Sequence, residues 1–310
     1  MPQFPVQQWT VTEAEAGQKL FNFLKRRLRR GVPTSLVMRW MRSGELRVDG
    51  KRATPYQRLK VGQVLRIPPF AVDEELPDEA AVVESATLDL PVLFENEELL
   101  VIDKPAGLPV QPGTGHGDAV STRLAKAYAH APFVPAAAHR IDRDTAGIVM
   151  VGKTYHGLAR LLEAFETRAI HKTYLAWVRG RWPFAEETVL SDRLEKLWEG
   201  NSQRIHAGRG KEALATAEPV KIRPDASLLL LTLHTGRTHQ LRVQLSSRKH
   251  AIVGDRKYGD RAPAPGLLLH AHAVAWEGRE FVSVPVWPGP WDVRSMLGLQ
   301  QPPPDEAPPA

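Results

Sequence analysis

The chain has 310 residues, a formal net charge of +6 and 43% hydrophobic residues, a length that corresponds to about two domains of roughly 150 residues each. Because it contains no cysteine, disulfides, thiolate nucleophiles, iron–sulfur clusters and cysteine zinc sites are excluded. No apolar run approaches the ~20 residues that a membrane-spanning helix needs, so no membrane role is expected. The N-terminal residues lack a basic segment followed by an apolar one, which predicts a cytoplasmic protein without a secretory signal.

Charge is distributed unevenly along the chain. Residues 1–70 hold 14 Lys and Arg against 4 Asp and Glu, which makes this segment suited to contact with a polyanion. Residues 71–98 hold 10 acidic residues and no basic ones. The composition predicts four parts: a basic domain at 1–70, an acidic linker at 71–90, a second domain at 91–298 and a disordered Pro-rich tail at 299–310.

The basic segment predicts two helices. The first begins near Gly17 and carries a leucine at every fourth position from Leu20 to Leu28, and the second ends at Gly44. Their other faces carry six cations that we expect to contact phosphate groups: Lys25, Arg26, Arg29, Arg30, Arg39 and Arg42. For any single arginine, a solvated helix face is an equally good explanation.

Alternation and turn residues predict further elements. An Asp49-Gly50 turn within the alternating stretch 45–51 indicates a β-hairpin after the second helix. The loop at 104–117 is rich in Gly and Pro but lacks the spacing of nucleotide-binding loops, so no nucleotide cofactor is expected. In the second domain, periodicity predicts strands at 99–102, 148–152, 173–179 and 228–234 and helices at about 120–130, 155–168 and 238–247. An α+β fold with a non-parallel sheet is therefore expected.

Polar side chains concentrate just before the strand at 148–152. His139, Arg140, Asp142, Arg143 and Asp144 place two carboxylates among three potential cations. Such an arrangement can hold an aspartate ionised and fixed in direction. Composition alone favours a structural ion-pair network here, because networks of this kind also perturb pKa values without doing chemistry.

Several motifs in order along the chain carry a family resemblance. HRIDRDTAG closely resembles the catalytic motif HRLDxxTSG of the RNA pseudouridine synthases, RAIHKTYLAWVRG is similar to their second motif, and TGRTHQLRVQ is similar to their third. VGDRKYG and LLLHA follow in the expected order. In addition, AGQKLFNFL, GVPTSLVMRWMRSGELRVDGKR and LKVGQVLRIPP resemble the S4 RNA-binding module over about residues 9–70. The whole pattern is most similar to the bacterial large-subunit (23S) ribosomal RNA pseudouridine synthases, particularly the C type.

This resemblance implies roles for individual residues. The family's catalytic aspartate falls on Asp142, and Arg140 lies in the same motif. The aromatic residue that stacks on the target base falls on Tyr174, and the basic residue that pairs with the aspartate falls on Arg242. Without the motifs, a core tyrosine and a surface salt bridge would be the better explanations. The six N-terminal cations would then bind RNA.

The resemblance also implies a function and a fold. The enzyme would flip selected uridines of 23S ribosomal RNA out of their stack, cleave the glycosidic bond with the help of the aspartate, and rejoin the base through C5. It would need no cofactor, would act as a monomer on ribosomal RNA or on an assembling large subunit, and would have a mixed, mainly antiparallel sheet flanked by helices. A transfer-RNA target, a non-catalytic ribosome-assembly factor and an aspartate-dependent hydrolase are the alternatives.

Some residues depart from the family pattern or could suggest other chemistry. Ala146 replaces the usual serine, Gln244 the usual histidine, and His234 a frequent proline. These departures leave open altered loop packing or a shifted substrate choice. Four histidines could suggest a metal, but their spacing matches no known ligand motif and none is expected: His139, His171, His239 and His270.

Overall fold

The computed structural model describes residues 3–28, 32–71, 87–113, 117–199 and 202–297. Most of the predicted linker and the whole predicted tail therefore lie outside the described residues, as do Arg29 and Arg30. Within the described ranges, no helix is both long and apolar enough to cross a membrane.

The N-terminal domain contains both predicted helices. Helix α1 spans Leu20–Arg27 and buries Leu20, Phe23 and Leu24, while α2 spans Thr34–Ser43 and buries Val37, Trp40 and Met41. Helix α1 starts three residues later than expected, because Gly17 adopts φ +86° and Lys19 forms a bridge with Arg58 before the helix begins. Gly44, at φ 77° and ψ 13°, ends α2 in the left-handed conformation that glycine favours.

Short strands complete this domain and confirm the predicted hairpin. Strands β3 and β4 are joined by Asp49 and Gly50, both with positive φ, as a tight hairpin turn requires. One sheet has the order β2-β5-β3-β4, and β1 pairs with β6. The bounds are β1 Gln3–Phe4, β2 Gln7–Thr10, β3 Arg47–Val48, β4 Lys51–Arg52, β5 Val64–Ile67 and β6 Phe70–Ala71.

The second domain is built on one large sheet to which the described residues contribute eleven strands. Its path is β13-β12-β14-β15-β11-β16-β10-β8-β7, with β17 beside β16 and β9 beside β10. Only the pairing of β10 with β16 is parallel among the described strand pairs, which confirms a mixed, mainly antiparallel sheet. The strands are β7 Val92–Glu95, β8 Leu99–Lys104, β9 Ala136–Ala137, β10 Ala146–Gly152, β11 His171–Arg179, β12 Thr188–Glu199, β13 Ser202–Ala207, β14 Lys211–Ile222, β15 Ala226–Leu233, β16 Leu269–Trp276 and β17 Arg279–Val282.

Helices cover both faces of this sheet. Val120 and Leu124 of helix α3 and Leu241 and Leu245 of α5 share one apolar cluster with Tyr174. Helix α4 packs on the opposite face against β8 and β10. The bounds are α3 Val120–Ala127, α4 Tyr155–Glu166 and α5 Gln240–Ser247. The α3 and α5 face is therefore the one that carries the residues implied in catalysis.

All seven elements predicted for the second domain are present, with ends shifted by a few residues. The periodicity of the sequence did not place the other strands of the sheet, which are β7, β9, β12, β13, β14, β16 and β17. One reason is visible in β12, where Leu190, Leu194 and Leu197 are spaced as on one face of a helix although the segment is a strand.

The parallel pairing of β10 with β16 generates a prediction about Gly147. This residue lies at φ +107°, and a Cβ placed there would lie 2.7 Å from the backbone nitrogen of Ala271 and closer still to its carbonyl oxygen. We expect Gly147→Ala to lower the free energy of unfolding by at least about 3 kcal/mol, because both strain and steric overlap must be relieved. Chemical denaturation measures the change.

The matched control is Gly113→Ala, because Gly113 does not have a positive φ and a Cβ added there would meet no atom of the described residues within 4 Å. This variant should change stability by less than about 1 kcal/mol. Equal losses for the two variants would contradict the close approach of β10 and β16.

Candidate active site

Asp142 lies in the loop between β9 and β10, on the α3 and α5 face of the sheet. Its carbonyl oxygen accepts a hydrogen bond from the backbone N–H of Thr145 at 3.2 Å, which closes a turn just before β10 begins. The Asp142 side chain keeps 24% of its surface exposed. The carboxylate is therefore fixed to the scaffold at its backbone and remains accessible from solution.

Lys104 holds this loop from the neighbouring strand. The side chain is fully buried, and its Nζ lies 2.8 Å from Pro105 O, 2.7 Å from Leu108 O and 3.0 Å from Arg143 O. Burial lowers the pKa of Lys104 to about 8, although the nearby charges of Asp144, Asp142 and Asp103 raise it. A charged ammonium can donate to all three carbonyl groups, so it joins the loop after β8 to the loop of Asp142.

Arg242 connects Asp142 to a second, buried carboxylate. Its Nη1 donates to Asp142 Oδ2 at 3.0 Å, while Nε and Nη2 donate to Asp255 Oδ2 and Oδ1 at 2.8 and 2.9 Å. The Asp255 side chain has no exposed surface, and that of Arg242 retains 9%. Burial alone would lower the pKa of Arg242, but its bonds to Asp255 and the charges of Asp255 and Asp142 outweigh it and raise the pKa above the ordinary value. The guanidinium therefore stays charged and fixed in orientation.

Local contacts explain why Arg242 points at Asp142. Gln240, in the first turn of α5, accepts hydrogen bonds from Thr235 and from the N–H of Arg237 and donates to Leu214 O of β14. Asp255 in turn accepts from the N–H groups of Lys257 and Tyr258 at 3.2 and 3.1 Å. The helix and the carboxylate that orient the guanidinium are thus both fixed by backbone groups.

Tyr174 projects from β11 into the apolar cluster beside this ion-pair network. It pairs with Leu231 on one side and Ala271 on the other, and 8% of its surface is exposed. Burial, together with the negative charge of Asp142, raises the pKa of the Tyr174 phenol well above its ordinary value. The phenol is therefore neutral, and the charge of Asp142 acts on it.

The other residues implied in catalysis or RNA binding occupy varied positions. Arg140 is exposed, and within the described residues it makes no hydrogen bond or ion pair. Lys25, Arg39 and Arg42 are not buried and lie on α1 and α2. The guanidinium of Arg26 instead lies 4.3 Å from the centre of the Phe133 ring in the second domain, so it helps to hold the two domains together.

His139 is a structural member of the motif. Its Nε2 accepts a hydrogen bond from the N–H of Met150 in β10 at 3.0 Å, and its ring centre lies 4.6 Å from that of Phe165 in α4. Burial, with the positive charge of Lys172, lowers the pKa of His139 to about 3. The neutral imidazole therefore attaches the start of the Asp142 loop to the sheet.

Of the three departures from the family pattern, Gln244 has a visible structural role, and Ala146 and His234 take part in backbone pairing. Gln244 Nε2 lies within hydrogen-bond distance of Leu190 O, Ala213 O and the Asp192 carboxylate, and so ties α5 to β12 and β14. Ala146 begins β10 beside His270 of β16, and the N–H of His234 donates to Leu214 O. In the part of the chain that the structure describes, no group of three or more His, Asp or Glu side chains is arranged to hold a metal ion.

Four residues at the site received no role from the sequence. Lys104 is the last residue of β8, and Asp255 and Tyr258 lie in the VGDRKYG motif that carried the resemblance. His239 lies in the TGRTHQLRVQ motif, and its Nε2 lies 3.8 Å from Asp142 Oδ2. The motifs were therefore a usable signal for Asp255, Tyr258 and His239, whereas their mutual positions required the fold.

The chain is similar to known proteins over most of its length. The family model for RNA pseudouridylate synthase matches residues 98–247, and so does not include the N-terminal domain. Ribosomal large subunit pseudouridine synthase C of Haemophilus ducreyi is 34% identical over 283 residues, which are 88% of each chain. The chain belongs to the RNA pseudouridylate synthase family. The protein of the same name from Escherichia coli K12 is 36% identical over 256 residues, or 81% of this chain and 79% of that one.

A solved structure shares the fold. Human RNA pseudouridylate synthase domain containing 4 superposes with a TM-score of 0.54 at 21% identity, covering 68% of this chain and 94% of that chain. Family membership and fold together make this protein a pseudouridine synthase, an isomerase, and confirm the resemblance carried by its ordered motifs.

The buried carboxylate generates a prediction. Asp255→Asn removes the charge that neutralises Arg242 within the protein, so we expect the free energy of unfolding to fall by about 3 kcal/mol. Enzyme activity should fall on the order of 100-fold, because Arg242 loses the partner that aims it at Asp142. Asp118→Asn is the control, since the Asp118 side chain is 59% exposed in its pair with Arg123 and should contribute at most about 1 kcal/mol. Equal effects of the two variants would contradict the role of Asp255 in compensating and orienting Arg242.

His139 generates a prediction about pH. Its pKa is about 3 in the folded protein against 6.5 for an ordinary histidine, so between these values the unfolded chain binds the extra proton. The free energy of unfolding therefore falls as the pH falls below 6.5, and this residue accounts for a loss of about 1 kcal/mol per pH unit. His139→Gln keeps an acceptor for the Met150 N–H but does not titrate. Between about pH 6.5 and about pH 4.5, its free energy of unfolding should therefore fall less steeply than that of the wild type, as measured by denaturation curves. Parallel losses in the two proteins would contradict a buried neutral imidazole.

Proposed function

We propose that this enzyme isomerises selected uridines of large-subunit (23S) ribosomal RNA to pseudouridine, with Asp142 as the catalytic carboxylate. The observation that carries the proposal is a partly exposed Asp142 carboxylate bound by an Arg242 that Asp255 holds in place. The choice of RNA is supported by relatives named ribosomal large subunit pseudouridine synthase C. A transfer-RNA target is the alternative within the same chemistry.

The two oxygens of Asp142 have different surroundings. Arg242 binds Oδ2, while Oδ1 accepts no hydrogen bond from any residue that the structure describes. In our proposal, Oδ1 faces the nucleotide and Oδ2 holds the carboxylate in position. An arginine partner also stabilises the ionised form that either nucleophilic attack or proton removal needs.

The reaction conserves all atoms of the uridine. The N1–C1′ bond breaks, a C5–C1′ bond forms, C5 loses a proton and N1 gains one. Asp142 either attacks the nucleotide covalently or removes a ribose proton to give a glycal intermediate. In both routes the detached uracil must stay in the site while it turns, and no redox carrier or nucleotide cofactor enters the balance.

The uridine must leave its stack before Asp142 can reach the ribose. We propose that Tyr174 receives the flipped base on its ring face, at the edge of the apolar cluster. Arg140, exposed in the same loop as Asp142, would contact the RNA around the vacated position. The position of Tyr174 in the apolar cluster, where burial and the charge of Asp142 raise the pKa of its phenol, supports this assignment.

The N-terminal domain would act as an S4-like RNA-binding module. Its two helices and small sheet leave Lys25, Arg39 and Arg42 accessible, and the segment 1–70 carries 14 cations against 4 anions. Contacts of this kind bind the phosphate backbone and give affinity without reading sequence. The domain would then hold the RNA while the catalytic domain selects the uridine.

A single chain supplies Asp142, Tyr174, Arg242 and Asp255, which supports the proposal that the enzyme acts as a monomer. We also propose that it works in the cytoplasm, either on free ribosomal RNA or on an assembling large subunit. A non-catalytic assembly factor would have no need for a carboxylate held in this way.

The proposal predicts tritium release from 23S ribosomal RNA labelled at uridine C5. The wild-type enzyme should release tritium, and Asp142→Asn should reduce the rate by at least about 1000-fold, since the amide can neither attack nor accept a proton. Asp144→Asn is the matched control, because Asp144 forms its ion pair with the exposed Arg143, and it should keep most of the activity. Release from transfer RNA alone would contradict the ribosomal target, and activity in Asp142→Asn would contradict the catalytic role.

The S4-like role predicts weaker RNA binding after charge removal. Arg39→Gln with Arg42→Gln should raise the dissociation constant for 23S ribosomal RNA and lower the salt dependence by about two counterions, because two phosphate contacts are lost. Arg181→Gln with Lys221→Gln is the charge-matched control, since these exposed residues lie in the second domain, after β11 and on β14. Equal weakening by both pairs, measured by filter binding across salt concentrations, would contradict a localised RNA surface.

A further inference from the structure

His239 lies directly before α5 and faces the candidate catalytic carboxylate. It adopts φ 51° and ψ 26°, a left-handed conformation that side-chain-bearing residues adopt infrequently. Its Nε2 lies 3.8 Å from Asp142 Oδ2, the same oxygen that Arg242 binds. This conformation directs the imidazole toward the site, three residues before Arg242 on the chain.

Tyr258 fixes the other side of the imidazole. Its hydroxyl oxygen lies 2.7 Å from His239 Nδ1 and accepts a hydrogen bond from the N–H of Ile205 in β13 at 3.3 Å. Because the hydroxyl oxygen already accepts from Ile205, its own hydrogen is free to be donated to Nδ1. The neutral imidazole then carries its proton on Nε2, so an N–H group rather than a lone pair faces the negative charge of Asp142.

Burial and the charged groups around His239 keep its imidazole neutral. The imidazole faces Asp142 from the catalytic loop, Arg242 from α5, and Asp255 and Lys257 from the loop that carries Tyr258. Burial lowers the pKa of His239 below the ordinary 6.5, the charge of Asp142 opposes this, and the charges of Arg242 and Lys257 reinforce it. The ring is therefore neutral at physiological pH and acts as a hydrogen-bond donor.

We propose that His239, held by Tyr258, is a positioning residue for Asp142. A distance of 3.8 Å is longer than a hydrogen bond, and catalytic contacts of this kind often shorten only when the substrate is bound. When the RNA closes the site, Nε2–H donates to Oδ2 and becomes the second donor beside Arg242. The carboxylate can then no longer rotate, and Oδ1 is directed at the nucleotide. This inference rests on the proposed catalytic role of Asp142.

The test compares variants that keep or remove the Nε2–H group. Asparagine tolerates the left-handed conformation and its amide reaches Tyr258, but it is too short to reach Asp142. We expect His239→Asn to lower kcat by up to about 100-fold, with KM within about twofold and little change in the melting temperature. His239→Gln, whose amide N–H reaches farther, should recover part of kcat.

Tyr258→Phe tests the support of the imidazole. It should lower kcat by less than His239→Asn does, and the double variant should be no slower than His239→Asn alone, because both changes remove one interaction. Steady-state tritium release on 23S ribosomal RNA and on bulk transfer RNA gives kcat and KM, and thermal unfolding of each purified variant shows whether it is folded.

The outcomes separate this inference from the proposed function. If the wild type is active, Asp142→Asn is inactive and folded His239→Asn keeps full kcat, the proposed function stands and the positioning role is wrong. A raised KM with unchanged kcat would also overturn it, because His239 would then bind substrate rather than orient Asp142. An active Asp142→Asn enzyme would overturn both the proposed function and this inference.

Discussion

The candidate active site depends on one buried arginine that joins two carboxylates. Arg242 bonds to Asp255 through two nitrogens and to Asp142 through the third. A guanidinium with so little exposed surface is stable only if its charge is compensated within the protein. Asp255 provides this compensation from a position without solvent access. Asp142 can therefore remain partly exposed and available to a substrate while it shares the same cation.

The rest of the fold brings these residues and Tyr174 together from distant parts of the chain. The sheet places β10 and β11 on either side of β16, so the loop of Asp142 and the side chain of Tyr174 come to the same face. Lys104 attaches the Asp142 loop to the loop after β8, and His139 attaches it to β10. The loop is irregular, yet buried polar groups hold it on both sides of Asp142. This kind of support gives a carboxylate a defined direction.

The sequence was sufficient for four strands of the large sheet, for its helices and for the association of Asp142 with Arg242, because apolar periodicity and ordered motifs are local signals. It was insufficient for strands β12, β13 and β14, where leucines at helical spacing fall within a strand and cross-strand pairing decides the structure. It also could not show that Arg26 lies on Phe133 of the other domain. The role that we propose for His239 was hidden as well, since it depends on a left-handed backbone and a distance across the fold.

In the proposed complex, a uridine binds with its ribose at Asp142 and its base on Tyr174. The most direct measurement is a crystal structure of the Asp142→Asn enzyme bound to an RNA that contains a target uridine. We expect a flipped uridine whose ribose lies within hydrogen-bond distance of residue 142 and whose base lies against the ring of Tyr174. The pair of Arg242 and Asp255 should be unchanged. A uridine bound away from residue 142, or a base left stacked in the RNA while the enzyme is fully engaged, would contradict the proposed complex.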